Sequence, residues 1–366
     1  DPASQPNYYA SDGTLIWTGA SNTGYSNTVF GIGGDSTSGL NQRQSRSSLG
    51  RDILTLSLSS TASSNVLNGG DFGGDKRFLL VGNNGALTSS ITTSGLPLNS
   101  GTGTPMRMML SRVWQAQNTN GVGSLELDFD LTGAFSSTIG YLPSDLCLLI
   151  DHGTGSFTGT VVSGGGLSAS LVSGNTYSFS NISLSSGDRF TVGLVKKAQV
   201  LAFSNGPYAL TVDQTSAITA SNSAIVGSAS IVYSAVSGGG SVTLNSSTGE
   251  LTATGAGAIT LIAQVSANSD YAGAITSTLV TIGRSTPSLS IAALSMTVGS
   301  IASAVTSTTA GTLGGSINKG GSVTFSLLTG SGISATVNSM TGQITASQAG
   351  VVTLVAQSLG DTDYYS

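Results

Sequence analysis

Glu126, Asp128 and Asp130 occupy every second position of Leu125-Glu-Leu-Asp-Phe-Asp-Leu131. Side chains alternate between the two faces of a strand. The spacing therefore predicts three carboxylates on one face and Leu125, Leu127, Phe129 and Leu131 on the other. Like charges in a row repel, so the row asks for a cation, an arginine partner, or a fully solvated outer face. Two carboxylates flanking a bond are also the machinery of glycoside hydrolysis, one as nucleophile and one as acid/base.

Further hard-oxygen donors stand in glycine-rich stretches. Asp71 and Asp75 lie in Asn68-Gly-Gly-Asp-Phe-Gly-Gly-Asp75, and Asp35 closes Gly31-Ile-Gly-Gly-Asp35. Carboxylates with backbone carbonyls on such loops suit calcium. Asp35, Asp71, Asp75, Glu126, Asp128 and Asp130 are thus the candidate ligands of a structural calcium, the one cofactor in view. Their spacing fits neither an EF-hand nor a nonapeptide calcium repeat, and Asp with Gly also forms simple turns. The single histidine, His152, follows Asp151 without the G-x-S-x-G elbow of a hydrolase triad. One His and one Cys cannot make a zinc site. Cys147 lies in the apolar run Leu146–Ile150, reads as a buried core residue, and leaves no intrachain disulfide to form. Arg112 and Trp114 alternate with Val113; Trp114 is either a sandwich-core residue or, with Arg112, a platform for a glycan.

The elements that must carry these residues are strands. Only 8% of the 366 residues are charged, against about 25% in an average domain. Hydrophobic residues make up 39%, enough for real cores. Runs of four to eight alternating residues recur between Gly, Asn, Ser and Asp: Ile53–Leu58, Phe78–Val81, Leu125–Leu131, Leu146–Ile150, Arg189–Leu194, Ile259–Gln264 and Val351–Gln357. Helical periodicity is nearly absent. A net charge of −5 with no basic cluster beyond Lys196-Lys197 excludes nucleic acid as the expected partner. No apolar run reaches the roughly 18 residues of a membrane-spanning helix. The chain opens Asp1-Pro2, as expected of a mature product or an excised fragment.

Thr243–Tyr271 is written again as Thr336–Tyr364, without a gap, at an offset of 93 residues and with about half the positions identical. Each copy holds Asn-Ser-x-Thr-Gly, a tight turn with Gly249 or Gly342 at positive φ, then a short strand and a long alternating one. The expected fold is all-β: an N-terminal extended segment (1–12), a jelly-roll-like β-sandwich (13–197), and two tandem immunoglobulin-like sandwiches (198–284 and 285–366).

Three resemblances attach to these residues. Glu126-Leu-Asp-Phe-Asp130 resembles the E-x-D-x-E strand of β-jelly-roll endoglucanases, with Asp130 shorter by a methylene than the glutamate expected there. The shared pattern S-x-T-G-x-[LI]-T-A-x-x-A-G-x-[IV]-T-[LI]-x-A-Q…D-Y resembles the bacterial Ig-like repeats of very large surface proteins. The N-terminal block carries Gly31–Asp35, Leu40-Asn-Gln-Arg-Gln-Ser-Arg46, Asn68–Asp75, Phe78–Asn84, Arg112-Val-Trp-Gln-Ala-Gln117, Leu148-Leu-Ile-Asp-His152 and Arg189–Leu194. It is similar, over about 13–196, to a β-sandwich module of Bacteroidetes-type surface proteins and adhesins. These resemblances imply an extracellular, bacterial cell-surface location and the type IX export route. They also imply a structural or adhesive role without catalysis. In the same family context Asp35-Ser36-Thr37 resembles an O-glycan acceptor motif.

The first repeat continues past Tyr271 with the alternating Ala272–Gly283, a closing strand; the second has no counterpart after Tyr364. Val351, Thr353, Val355, Tyr364 and Tyr365 are therefore expected to form an open edge. The edge would be completed by further Ig-like repeats or by a strand from another copy, with the polar Asp1–Ser11 segment as a candidate donor. The expected function is an extracellular adhesin or filament subunit, a stiff rod of β-modules assembled head-to-tail, whose partners are copies of itself or surface glycans. The alternative is a carbohydrate-active enzyme or glycan-binding protein with Ig-like spacers.

Overall fold

The computed structural model describes residues 6–47, 53–97, 105–135, 140–157, 169–204, 206, 208–223, 230–287, 289–304, 306–308, 311–313, 320–328 and 334–366. Among them no α-helix occurs; the fold is all-β with two short 3₁₀ turns. The chain folds as two units, Asp1–Ala198 with Asn268–Ala272, and Gln199–Ala267 with Gly273–Ser366.

The strands of the first unit are β1 (Tyr8–Tyr9), β2 (Leu15–Trp17), β3 (Asn27–Asp35), β4 (Leu40–Gln42), β5 (Gln44–Arg46), β6 (Leu54–Ser57), β7 (Arg77–Asn83) and β8 (Ile91–Thr92). They continue as β9 (Met106–Leu110), β10 (Trp114–Thr119), β11 (Leu125–Asp130), β12 (Leu146–Asp151), β13 (Ser170–Ser173), β14 (Thr176–Ile182) and β15 (Arg189–Val195). One sheet runs β4-β3-β7-β10-β15-β9-β8, with β12 also on β15; the facing sheet runs β13-β14-β11-β6-β5. Alternation drives the pairing of the two sheets. Leu54, Leu56, Leu125, Leu127 and Phe129 point in from one sheet, and Leu79, Val81, Trp114, Phe190 and Val192 from the other, all at most 2% exposed. Trp114 stacks on Phe190 at 5.9 Å between ring centroids and meets Phe129 edge-on at 5.5 Å. Each such side chain contributes about 1.5–3 kcal/mol of burial, so this cluster dominates the unit's stability. A smaller cluster of Met106, Val113, Cys147, Leu149 and Phe157 covers part of the larger sheet's other face.

The second unit holds both repeats apart from Asn268–Ala272. The first has β16 (Leu201–Phe203), β17 (Tyr208–Thr211), β18 (Thr215–Ala217), β19 (Ala220–Asn222), β20 (Ile231–Ser237), β21 (Ser241–Leu244), β22 (Glu250–Gly255), β23 (Gly257–Val265) and β24 (Ala274–Gly283). The second has β25 (Leu289–Ile291), β26 (Ile301–Ser303), β27 (Thr306–Thr308), β28 (Gly311–Leu313), β29 (Val323–Leu328), β30 (Ala335–Val337), β31 (Gln343–Ala346) and β32 (Thr353–Ser358). The first repeat packs a sheet β17-β24-β23-β20 on a sheet β18-β22-β21. The second repeats β26-β31-β30 and pairs β29 with β32. The turn chemistry is identical in both. Asn245 Oδ1 accepts from the amides of Ser247 and Thr248 at 3.0 and 3.3 Å, and Asn338 Oδ1 from those of Met340 and Thr341 at 3.0 Å each. Gly249 and Gly342 then take φ of 73° and 66°, where a side chain would be strained.

Candidate functional site

β11 delivers the carboxylate row only in part. The apolar side chains face the core as the alternation requires, yet Asp128 on the other face is 3% exposed while Glu126 and Asp130 are half-buried. Each acid has its own neighbours. Glu126 accepts from the Thr61 amide at 3.2 Å and the Ser180 hydroxyl at 3.1 Å, and Asp130 pairs with Arg46 at 3.5 Å. Burial pushes the Asp128 carboxyl above the usual range, the nearby Glu126 charge adds to this, and the Thr61 and Ser178 side chains offset it in part. Its Oδ1 has no hydrogen-bond partner among the described residues. A sealed middle acid flanked by two separately tied ones is not an open glycosidase cleft.

Asp35 and Asp75 are satisfied by protein groups. Asp35 is 2% exposed. It accepts from the Ser11 amide and hydroxyl (2.9 Å each) and from the amides of Thr37 (3.1 Å) and Ser38 (3.2 Å). The Lys76 ammonium closes the group by bonding both Asp35 and Ser11. That hydrogen bond holds the Asp35 carboxyl well below the usual carboxylate range. Asp75 accepts from the amide and hydroxyl of Ser36 at 2.7 Å each, so the serine of the Asp35-Ser36-Thr37 motif has its oxygen engaged. Asp71 caps the Gly73 amide, at 3.3 Å. Among the described residues no three His, Cys, Asp or Glu side chains gather as metal ligands. Lys76 is the cation paired with Asp35.

Several expected site residues are placed elsewhere. Trp114 is fully buried between the sheets and offers no face to a sugar. Arg112 precedes β10 rather than sharing it, is 7% exposed, and donates through Nε to the Ala86 carbonyl at 2.7 Å. His152 pairs with Asp188 at 2.9 Å; its sequence neighbour Asp151 caps the amides of Thr154 and Gly155 at 2.8 and 2.7 Å. Burial pushes the Cys147 thiol up to about 12, so it is inert. The N-terminal segment, a candidate strand donor, is already held from Asn7 onward: Asn7 accepts from the Gly19 amide at 2.8 Å, β1 pairs with β2, and Ser11 binds Asp35. Residues 1–5 lie outside the described ones.

One surface was missed. Tyr8 and Tyr9, 41% and 59% exposed, border a shallow hollow of about 440 Å³ with Phe30, Leu40, Phe78 and Leu80. Two adjacent tyrosines inside a polar stretch were the available signal. Their place over the β3–β4 end of the larger sheet depends on long-range pairing that sequence does not reveal.

The repeats carry a second constellation at Asn268-Ser-Asp-Tyr271 and Asp361-Thr-Asp-Tyr364. Asn268 Oδ1 accepts from the amides of Asp270 and Tyr271 at 2.9 and 2.8 Å; Asp361 Oδ1 does the same for Asp363 and Tyr364 at 2.8 Å each. Within the first unit Lys196 Nζ donates to the Asn268 carbonyl at 2.5 Å, Asp270 pairs with Arg107 at 2.5 Å, and Lys197 bridges Tyr271. Within the second unit Arg284 donates to the carbonyls of Asp361 and Tyr364, and Ser285 bridges Tyr364. Tyr364 is not an edge residue. It is 4% exposed and lies in the first repeat's core with Leu210, Val212, Ile218 and Ile282. Its hydroxyl donates to Asp213 at 2.5 Å, and Asp363 accepts from the Ala256 amide at 2.6 Å. Burial, then the Asp213 carboxylate, holds the Tyr364 phenol well above its usual range. Tyr365 is half exposed under the Arg284 guanidinium, 5.0 Å from its ring centroid. Thr353 and Val355 are not edge residues either: Leu359 donates its amide to Ser322, the next pair in the β29–β32 register, so their backbone groups serve β29, and Val351 precedes the strand.

Residues 2–188, just over half of the chain, match the model of a domain of unknown function, DUF8202. No curated protein matches the chain. Among solved structures, mouse cadherin-23 EC22-24 aligns at 12% identity over 66% of this chain and 86% of that one, with a TM-score of 0.22. The S-layer protein rSbsC(31-844) aligns at 11% identity over 98% of this chain and 47% of its own, with a TM-score of 0.19. Domains 1–6 of the surface layer protein SbsC align at 12% over 85% and 45%, with a TM-score of 0.18. The chain thus spans less than half the length of either S-layer structure. No helix among the described residues is long and apolar enough to cross a membrane.

Proposed function

The chain belongs to the DUF8202 family, and we propose that it is an extracellular structural or adhesive protein of a bacterial surface, built from β-sandwich modules and acting without catalysis. The observation that carries this reading is the interlock of the two repeats, in which Tyr364 of one fills the core of the other. A chain that locks successive modules together is suited to transmitting load or presenting a surface at a distance. The acidic side chains support the same reading, since Asp35, Asp75 and Asp130 hold turns and strands in place. The test is labelling of unpermeabilised source cells with antibody to the purified chain, alongside a glucan-hydrolysis panel comparing the protein with Glu126→Gln. Surface labelling with no hydrolysis is expected. Hydrolysis lost in Glu126→Gln would favour the carbohydrate-active alternative.

The exposed Tyr8–Tyr9 pair favours a second reading, glycan binding by aromatic stacking at that hollow. Glycan-array signal lost in Tyr8→Ala/Tyr9→Ala and kept in Arg112→Ala would support it. An array without signal rejects it.

A further inference from the structure

The hollow beside Tyr8 and Tyr9 borders an open length of sheet edge, and β7 fixes its phase. Asn84 donates its amide to the Val113 carbonyl at 3.0 Å, the next pair in the β7–β10 register. Alternate residues of an antiparallel strand bond to opposite neighbours. Phe78, Leu80 and Gly82 therefore serve β10, and Arg77, Leu79 and Val81 serve β3. Their partners Gly34, Ile32 and Phe30 point to β7. Gly31, Gly33 and Asp35 point the other way. There β4 meets Gly33 with Gln42 and Asp35 with Leu40. The next residue in that line, Gln44, turns away to pair with Ser57 in the facing sheet. Among the described residues no hydrogen bond reaches the N–H or C=O of Gly31.

The walls of the hollow are mostly apolar and carry no charged side chain. Gln42 is the one side-chain amide among the lining residues. Its Nε2 donates to the Gln44 carbonyl, so Oε1 is left as an acceptor. A ligand must bring an apolar face for the tyrosine rings, and hydroxyls that donate and accept for Gly31 and Gln42. It must bring no charge, because an ion here would lose water without gaining a partner. The volume of about 440 Å³ is near the low end of the roughly 300–1,000 Å³ of small-molecule pockets. An extended peptide suits the place less well. It needs a row of ladder groups, and β4 closes the edge at Gly33 while the register of β3 breaks between Asn27 and Phe30.

We propose that the hollow binds a short uncharged glycan of about one or two pyranose rings. A ring stacks on the Tyr8–Tyr9 pair, and neighbouring hydroxyls bond to the open N–H and C=O of Gly31 and to Gln42 Oε1. This rests on the glycan-binding reading of the same hollow and deepens it by giving the ligand's charge, its size and the groups that recognise it. Gly31 presents both groups on one side of the strand, so two vicinal hydroxyls, each able to donate and accept, satisfy them together. Uronic, sialic and sulfated sugars are turned away by the uncharged walls. With no ion pair in the contact, affinity is indifferent to salt.

The test uses the full chain, an array of neutral and acidic glycans, and amide exchange. In the free chain the Gly31 amide is expected to exchange faster than those of Phe30 and Ile32; equal protection would mean that the edge is already paired and would overturn the proposal. Array binding is expected to neutral glycans only, and to be unchanged from low salt to about 1 M. Saturation with the best-bound neutral glycan is expected to slow Gly31 exchange by at least about fivefold. A preference for acidic glycans, or binding that falls with salt, overturns the uncharged ligand and leaves glycan binding standing. Neutral binding with Gly31 exchange unchanged overturns the main-chain contact and again leaves glycan binding standing. An array without signal overturns both. A peptide of alternating Thr and Val that slows Gly31 exchange while the array stays silent overturns the ligand class in favour of an extended chain.

Discussion

Tyr364 makes a sharp test of how the repeats are joined. Truncation to alanine removes a ring that is 4% exposed from a core built by residues about 80 to 150 positions earlier. Such a loss costs about 3–5 kcal/mol. It should appear in the first repeat, where amide exchange at Leu210 and Ile282 speeds up and the denaturation midpoint falls. Tyr364→Phe isolates the hydroxyl. A bond to a carboxylate is worth about 1.5–3 kcal/mol when both partners are dry, but Asp213 is exposed and water replaces part of it, so about 1 kcal/mol is expected.

The pH dependence has a definite sign. The phenol is favoured neutral in the folded chain, so its contribution is complete below the unfolded value of about 10 and is lost as pH rises through the higher folded value. Alkaline destabilisation should therefore be steeper in the parent protein than in Tyr364→Phe. If Tyr364→Ala leaves the first repeat's exchange untouched and destabilises the second alone, the tyrosine is not part of the first repeat's core and the interlock is wrong.

Three further outcomes follow from the geometry. Asp128→Asn should raise stability at neutral pH by about 1 kcal/mol, because the ionised, buried carboxylate is the costly form; the gain should shrink as pH falls through the raised value. A loss on this substitution, measured by urea denaturation at pH 7, would mean that the charge is used. Asp35→Asn should lower the thermal midpoint at neutral pH, with the difference from the parent protein fading as pH falls below the unfolded carboxylate value of about 3.9 toward the depressed folded value; a difference unchanged down to pH 2 contradicts the Lys76 pairing. Gly249→Ala should cost about 2 kcal/mol or more, since φ is 73° and the new Cβ would lie 2.6 Å from the Ile218 carbonyl oxygen. Gly342→Ala should cost less, because there the nearest atoms belong to the Phe325 ring at 3.1 Å, and equal losses in a denaturation series would argue against the carbonyl clash.

Local information carried most of the fold. Ile259–Gln264 and Leu146–Ile150 were legible as strands because alternation or a continuous apolar run is written in the residues themselves, and Asn-Ser-x-Thr-Gly carries its own turn chemistry. The site was less legible because its parts depend on partners distant in sequence. Lys76 reaches Asp35 across 41 positions, and Tyr364 reaches Asp213 across 151. Trp114 stands among Arg112, Gln115 and Gln117, so its neighbours left a core place and a surface platform both open; its direction is set by pairing with Phe190 and Asn83. The phase of β32 had the same cause. Which alternate amides face outward is decided by the register with β29, and a one-residue error inverts the whole edge.

The two repeats share their turns and differ where each would meet a successor. Thr215 pairs with Thr252 in the first repeat and Ile301 with Thr345 in the second, which sets an offset of 86 there and puts Gly299 on Asp213. The first repeat therefore offers a carboxylate to the tyrosine of the module it carries, and the second offers none at that point. A tyrosine entering the second repeat could not make the bond that Tyr364 makes. The joint inside the second unit relies on a buried phenol and is sensitive above about pH 10. A glycine at the equivalent point of the second repeat leaves no carboxylate for such a bond, so that alkaline sensitivity belongs to the first repeat alone.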